Sequence, residues 1–234
     1  MAPRPTGMAR ITAITATTPG RAEAFALCEK FLDRQTRQPD QWLVLDGPEP
    51  MQRKLADAIE KGRIEGQHVV FFEDDDYFKP GWIEWCEGNL DKGYDMVGQG
   101  KAVYYNIAHR WFSNCNNVRH ASLCQTAISS RMLPHVWNII NDFNCPWIDV
   151  QLWNIECSKY LRLPKDEDAL VIGIKGMCGG KGYSREHRQV NGAGNEIDYD
   201  LSKLTSLIGD DAKIYAGYFH GEEELLRLAG AWTE

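Results

Sequence analysis

The chain has 234 residues, 43% of them hydrophobic and 25% charged, with a formal net charge of -7. That length and apolar fraction suffice for one sizeable core and exclude a chain that is disordered throughout. The acidic balance excludes a protein held on nucleic acid by bulk electrostatics, because neutralising phosphates needs clustered Lys and Arg.

No stretch reaches the roughly 18 apolar residues of a spanning helix, and Met1–Arg10 contains no apolar secretion core. Seven cysteines, none in a C-x-x-C pair, read as reduced core thiols, so the expectation is a cytoplasmic protein with no membrane partner. Residues 1–9 read as a loose Pro-containing tail and residues 10–234 as a single domain.

Ile11–Thr15 is a β-branched strand followed by the turn Thr17-Thr18-Pro19-Gly20-Arg21. Ala22–Arg34 places Ala24, Phe25, Leu27, Cys28, Phe31 and Leu32 at helical spacing. Gln41–Leu45 is a second strand ending on Asp46-Gly47-Pro48. Met51–Lys61 is a second helix, apolar at Leu55, Ala58 and Ile59, and His68–Phe72 is a third strand. Strand, helix, strand, helix, strand with short connections predicts an α/β fold with parallel strands, whose ligands gather at the strands' carboxyl ends. The turn at 17–21, Asp46 and the run Glu73-Asp74-Asp75-Asp76 all fall at those ends, so they are expected to converge on one crevice.

Four adjacent carboxylates at the mouth of a buried strand repel one another and lose solvation unless they share a cation. Hard oxygen donors suit Mg²⁺ or Mn²⁺, which take one or two carboxylates together with phosphate oxygens. The plainer reading is a solvated acidic turn closed by Pro80-Gly81.

Further along, Lys101–Tyr105 alternates as a strand and Arg119–Thr126 re-enters a core. Trp111, Arg119, His120 and Thr126 are candidates for a sugar pocket, although buried packing explains such residues more simply. Trp82 and Trp85, at i and i+3, read as helix packing. Asp149, in Cys145-Pro-Trp-Ile-Asp-Val-Gln-Leu-Trp153, is a candidate general base beside Trp147 and Trp153, whose apolar surface suits a sugar; it reads equally as the cap of a helix over Val150–Lys159. Asp142 is the fallback base.

The stretch 171–188 has glycines at 173, 176, 179, 180 and 182 interleaved with Lys175, Lys181, Arg185 and Arg188, a pattern that lets backbone and positive charge approach a diphosphate. Two terminal helices are predicted over Asp198–Ile208 and Glu222–Leu228.

Taken together, Ile11–Arg21, Trp42–Gly47 and Phe71–Pro80 resemble the amino-terminal half of a GT-A fold glycosyltransferase of the family 2 type, over roughly residues 10 to 100. The resemblance implies a Rossmann-like sandwich: a mainly parallel central sheet flanked by helices, with a smaller acceptor-side sheet. Residues 10–100 would form the nucleotide-sugar half, and residues 101–234 the acceptor half with a closing loop.

The resemblance also implies roles for residues. Asp46 would contact the nucleobase or ribose, and Asp75 would be the principal metal ligand, assisted by Glu73 or Asp74. His187 would be a further ligand from the late loop, and Asp149 the base. Thr17, Thr18, Arg21, Asp46, Lys54, Asp74, Lys175 and Arg185 make up the expected donor-binding set, with Glu73, Asp75 and His187 on the metal. Two departures, Thr17-Thr18-Pro19-Gly20 in place of an aromatic and a single acid at Asp46-Gly47, leave the donor's base open.

The implied activity is metal-dependent inverting transfer from a nucleoside-diphosphate sugar, a UDP-sugar first, to a hydroxyl acceptor. That acceptor is a glycan, a small molecule, a protein or a hydroxymethylated DNA base. The last follows from a likeness of compact form to bacteriophage glycosyltransferases, which would place the chain in a host cytoplasm. The competing readings are a nucleotidyltransferase making sugar nucleotides, for which the turn at 17–21 is too short and too poor in glycine, and a non-enzymatic metal- or carbohydrate-binding module.

Overall fold

The computed structural model describes residues 10–143, 148–177 and 196–218. Its first half follows the expected period closely: β1 (Ile11–Ala16), α1 (Ala22–Asp33), β2 (Gln41–Leu45), α2 (Met51–Glu60) and β3 (His68–Phe71). Next come β4 (Tyr77–Phe78), α3 (Trp82–Leu90), β5 (Met96–Gln99), β6 (Val103–Asn106), β7 (Trp111–Asn114), β8 (Thr126–Ser129), α4 (Leu133–Phe143) and α5 (Ile148–Asn154). The described chain closes with β9 (Lys159–Arg162), β10 (Val171–Lys175), β11 (Glu196–Ile197), α6 (Ser202–Ile208) and a run of 3-10 turns over Gly209–Tyr218.

Among the described residues the main sheet has the order β2-β1-β3-β8-β5-β9. β1 pairs parallel with β2 and β3, β5 pairs parallel with β9, and β8 runs antiparallel between β3 and β5. A second sheet, β11-β7-β6-β10-β4, lies beside it. The fold is therefore a mixed α/β sandwich: a mainly parallel sheet flanked by helices, with a smaller second sheet, consistent with a GT-A-like Rossmann arrangement.

Strand alternation decides which helices go where. Ile11, Ala13, Val70, Phe72 and Val97 point to the face covered by α1, α3 and the second sheet. Ile14, Val69, Phe71, Met96 and Ile128 point to the face covered by α2, α4 and α5. The sheets are tied by buried amides: Gln99 donates to the Val171 carbonyl (3.2 Å) and accepts from the Leu170 amide (2.6 Å), while Gln125 donates to the same carbonyl (3.3 Å).

Three boundaries differ from the sequence reading. The helix expected to run to Lys159 stops at Asn154, and Lys159–Arg162 becomes edge strand β9, parallel to β5. The strand expected from Lys101 begins at Val103, because Lys101 has a φ of 53°, outside the extended region. The helix expected from Asp198 begins at Ser202, because the Asp198 carboxylate accepts the amides of Lys203 and Leu204 and caps that helix from outside. The predicted helix over Glu222–Leu228 lies outside the described residues. Among those residues no helix is long and apolar enough to cross a membrane.

Gly98 on β5 is a place where the core closes tightly. A Cβ there would lie 2.6 Å from the Trp153 ring, 2.8 Å from the Ala121 side chain and 2.9 Å from the Gln125 carbonyl oxygen. Gly98→Ala should cost about 1–3 kcal/mol through overpacking, read as a lower urea midpoint at unchanged slope; an unchanged midpoint would show that this contact is loose.

Candidate active site

Three chain segments meet at the carboxyl ends of β1 and β3. The amide of Phe72 bonds the Ile14 carbonyl (2.8 Å), carrying the pairing one residue past β3, and the chain then turns through Glu73–Asp76 before Tyr77 and Phe78 re-enter the core. The acidic run is thus held between buried apolar anchors, with Glu73 and Asp75 half-buried and Asp74 and Asp76 buried. Asp74 and Asp76 are 5% and 1% exposed.

Arg21, from the 3-10 turn that follows β1, closes a fork on Asp74 with bonds of 2.8 and 2.7 Å and reaches Asp75 at 2.9 Å. Lys175, at the end of β10, brings its ammonium to 3.1 Å from Asp76 and 3.9 Å from Asp75. It also sits 5.6 Å from the centre of the Tyr104 ring, whose hydroxyl meets Ser122 at 2.6 Å.

Four carboxyl groups thus face two directly contacting cations, and the charge states adjust accordingly. Burial alone would push the Asp75 carboxyl up, but Lys175 and Arg21 outweigh it and hold the group below its ordinary value. Burial raises Asp76 despite Lys175. Glu73 is pushed up to about 8, first by burial and then by the charges of Asp76 and Asp75. The burial has a visible source: Glu73 borders a narrow recess lined by Ile14, Leu45, Met51, Leu55, Phe71 and Leu123.

One oxygen in this cluster has no hydrogen bond among the described residues. Asp76 Oδ1 accepts from the Ile174 amide (2.9 Å) and from Lys175 (3.1 Å), whereas Oδ2 is buried without a partner among those residues. A donor atom from each of Glu73, Asp76 and Cys124 lies within 4.8 Å of the others. Cys124 arrives from the 3-10 turn Leu123–Gln125 just before β8, and burial, with the nearby Asp76 and Glu73, pushes its thiol well up.

The remaining sequence candidates separate into groups. The Thr17 amide bonds the Leu45 carbonyl (3.1 Å), while the Thr18 carbonyl accepts the Arg21 amide (2.9 Å). Both threonines therefore shape the turn that presents Arg21. Lys54 is buried, and its ammonium donates to the Thr17 and Gly47 carbonyls, joining the loops after β1 and β2. Asp46 is exposed and accepts the Gly47 amide (2.8 Å).

Asp149 lies in the first turn of α5, half-buried; burial raises its carboxyl, and its charge is among those that raise Glu73, so it is in electrostatic reach of the cluster. His120, on the loop before Leu123, partly offsets that rise. Trp153 is no sugar platform: it is buried, donates its indole N–H to Thr126 (3.0 Å) and packs over Gly98. Trp111 and Thr126 are fully buried as well. Arg185, His187, Lys181, Arg188 and Trp147, with the glycines at 179, 180 and 182, lie outside the described residues, as does the side chain of Asp142.

The sequence pointed to the acidic run without ranking Asp76 within it, and it gave no signal for Cys124. Only the antiparallel insertion of β8 beside β3 brings that thiol to the cluster.

The Arg21–Asp74 pair is buried and bidentate, so removing one partner strands the other. Arg21→Ala should cost about 3–5 kcal/mol, while a joint Arg21→Met, Asp74→Leu replacement should recover most of that loss by denaturant titration. A double variant no better than the single one would show that the pair does not act as a unit.

No family model matches the chain, and no curated protein matches its sequence. Among solved structures it is similar to A197 from STIV, at 13% identity and a TM-score of 0.43, covering 66% of this chain and 82% of that one. It is also similar to S. aureus TarS, at 11% identity and a TM-score of 0.48, covering 71% of this chain and 37% of that one. A third similar structure is a glycosyltransferase involved in the glycosylation of the major capsid of PBCV-1, at 13% identity and a TM-score of 0.43, covering 76% of this chain and 98% of that one. The chain therefore spans little more than a third of TarS. At these identities the likenesses concern fold.

Proposed function

We propose that the chain is a metal-dependent, inverting glycosyltransferase that moves a sugar from a nucleoside-diphosphate sugar, a UDP-sugar first, to an acceptor hydroxyl. The observation that carries this reading is the acidic loop at the ends of β1 and β3, flanked by Arg21 and Lys175 and holding a buried carboxylate oxygen with no hydrogen-bond partner among the described residues.

The donor set fits a hard divalent cation. Glu73 and Asp76 supply two carboxylates, the number Mg²⁺ or Mn²⁺ takes when phosphate oxygens complete its shell. Asp75, salt-bridged to Arg21 and Lys175, is proposed as a further ligand, as is His187, which lies outside the described residues. When bound, the cation stabilises the negative charge that develops on the departing diphosphate.

The chain's own residues divide the remaining work. Arg21 and Lys175 set positive charge at the strand tips where a diphosphate would lie, and Arg185 adds to it. Thr17, Thr18 and Asp74 hold Arg21 in place. Lys54 fixes the two loops that border the nucleoside, and Asp46 meets its ribose or base. Asp149 takes the acceptor's proton as the sugar acquires oxocarbenium character, the task of a carboxylate on the opposite face of the ring. Acceptors consistent with this site are a glycan, a small molecule, a protein hydroxyl or a hydroxymethylated base of phage DNA, with action in a cytoplasm.

The deciding assay is release of nucleoside diphosphate from a sugar nucleotide. It should require Mn²⁺ or Mg²⁺, stop with chelator and resume on adding metal. Release of pyrophosphate from a nucleoside triphosphate would point to a nucleotidyltransferase, and neither release to a binding module.

Asp149→Asn should lower kcat by about 10²–10⁴-fold while the donor still raises the melting temperature. Because burial raises the Asp149 carboxyl and the base must be ionised, the acid limb of kcat/KM should lie above the ordinary aspartate value of about 3.9, with activity rising as pH increases through it. An acid limb at or below that value would remove Asp149 from the role.

A further inference from the structure

We infer that Glu73, Asp76 and Cys124 form a mixed carboxylate–thiolate site that takes a thiophilic divalent cation, Zn²⁺ or Co²⁺, in preference to Mg²⁺. The inference rests on the reading of the acidic loop as a cation site and goes beyond it by naming a sulfur ligand and a metal preference.

Three features support it together. One donor atom from each residue lies within 4.8 Å of the other two. Asp76 is 1% exposed, and among the described residues its Oδ2 has no hydrogen-bond partner although Oδ1 has two. Cys124 is itself buried, 3% exposed, on the short turn that packs beside β3, so its sulfur is held at the cluster by the fold.

The geometry is close to what such an ion needs. With Zn–O of about 2.0–2.2 Å and Zn–S of about 2.3 Å, tetrahedral ligand atoms stand roughly 3.5 Å apart. The trio must close by at most about 1.3 Å, within the reach of side-chain torsions. Binding converts the thiol to a thiolate and the Glu73 carboxyl to a carboxylate, releasing both protons to solvent. Sulfur is the donor that separates the metals: thiolate favours Zn²⁺ and Co²⁺ over Mg²⁺, which prefers all-oxygen, near-octahedral surroundings. Three protein donors also leave a fourth position open, the pattern of a site that admits a further ligand.

The test uses the full metal-free chain titrated with Co²⁺ and watched for a thiolate-to-cobalt charge-transfer band in the near ultraviolet, a readout independent of turnover. The wild type should develop the band at one equivalent, and Zn²⁺ should abolish it. Cys115→Ser and Cys157→Ser should keep it, and Cys124→Ser should lose it while retaining a cooperative melting transition. By calorimetry, Zn²⁺ binding to Cys124→Ser should weaken by at least about 10–100-fold, the range found when even an outer partner of a metal ligand is removed. Glu73→Gln, which keeps the thiol, should weaken Zn²⁺ binding while preserving the band at saturating Co²⁺.

Cobalt binding without a thiolate band in the wild type, or a band that survives in Cys124→Ser, overturns the inference and leaves Cys124 as a buried thiol beside Asp76. Metal-dependent diphosphate release in a chain showing no thiolate band sinks this inference alone. A thiolate band in a chain that releases no diphosphate with any metal sinks the glycosyltransferase reading alone.

Discussion

Everything at the strand tips follows from one constraint: the carboxylates of Glu73–Asp76 are held between buried apolar anchors. Phe71 and Phe72 are in the core before them, and Tyr77 and Phe78 are in the core after them. Charge confined in this way must be matched by cations at fixed positions or suppressed by protonation. Both occur. Arg21 comes from the turn after β1 and Lys175 from the end of β10, so the charge balance fixes how the main sheet, its first turn and the second sheet sit together. Glu73, the member with no salt-bridge partner among the described residues, is the one whose proton is held to about 8.

That balance also explains why the acids differ although they are adjacent. Asp74 is consumed by the Arg21 fork and acts as architecture. Asp75 lies between two cations and stays ionised. Asp76 divides its oxygens, one bound to the second sheet and one without a hydrogen bond among the described residues. Sequence adjacency made these residues look equivalent, and the direction each takes out of the loop makes them different.

Much of the first half was legible in the sequence because its signals are local. β-branched runs bounded by turn residues mark β1 and β2, and the 3.6-residue spacing of Ala24, Leu27, Cys28, Phe31 and Leu32 marks α1. The convergence of the 17–21 turn on the acidic run was legible for the same reason, since parallel strands with short crossovers deliver their carboxyl ends to one edge. The second half was read less well because its contacts are non-local. Lys159–Arg162 looked like the end of a helix and is a strand because β5 offers it a free edge. Trp153 looked like a ligand platform and is packing because Gly98 leaves room for its ring. Cys124 carried no local mark at all, since its position depends on which strand β8 chooses as neighbour.

Asp76 has a mechanical consequence as well as a chemical one. Its Oδ1 grips the Ile174 amide and the Lys175 ammonium, the last two residues of β10, and the chain immediately afterwards passes through Gly176 at a φ of 91°. A side chain at Gly176 would collide with Asn106 Oδ1 at 2.6 Å and the Ala108 amide nitrogen at 3.0 Å, so the backbone leaves β10 through a pivot that only glycine accommodates. One aspartate is therefore both a member of the acidic cluster and the anchor of that turn. Any displacement of its carboxylate away from β10 would pull on the end of the strand.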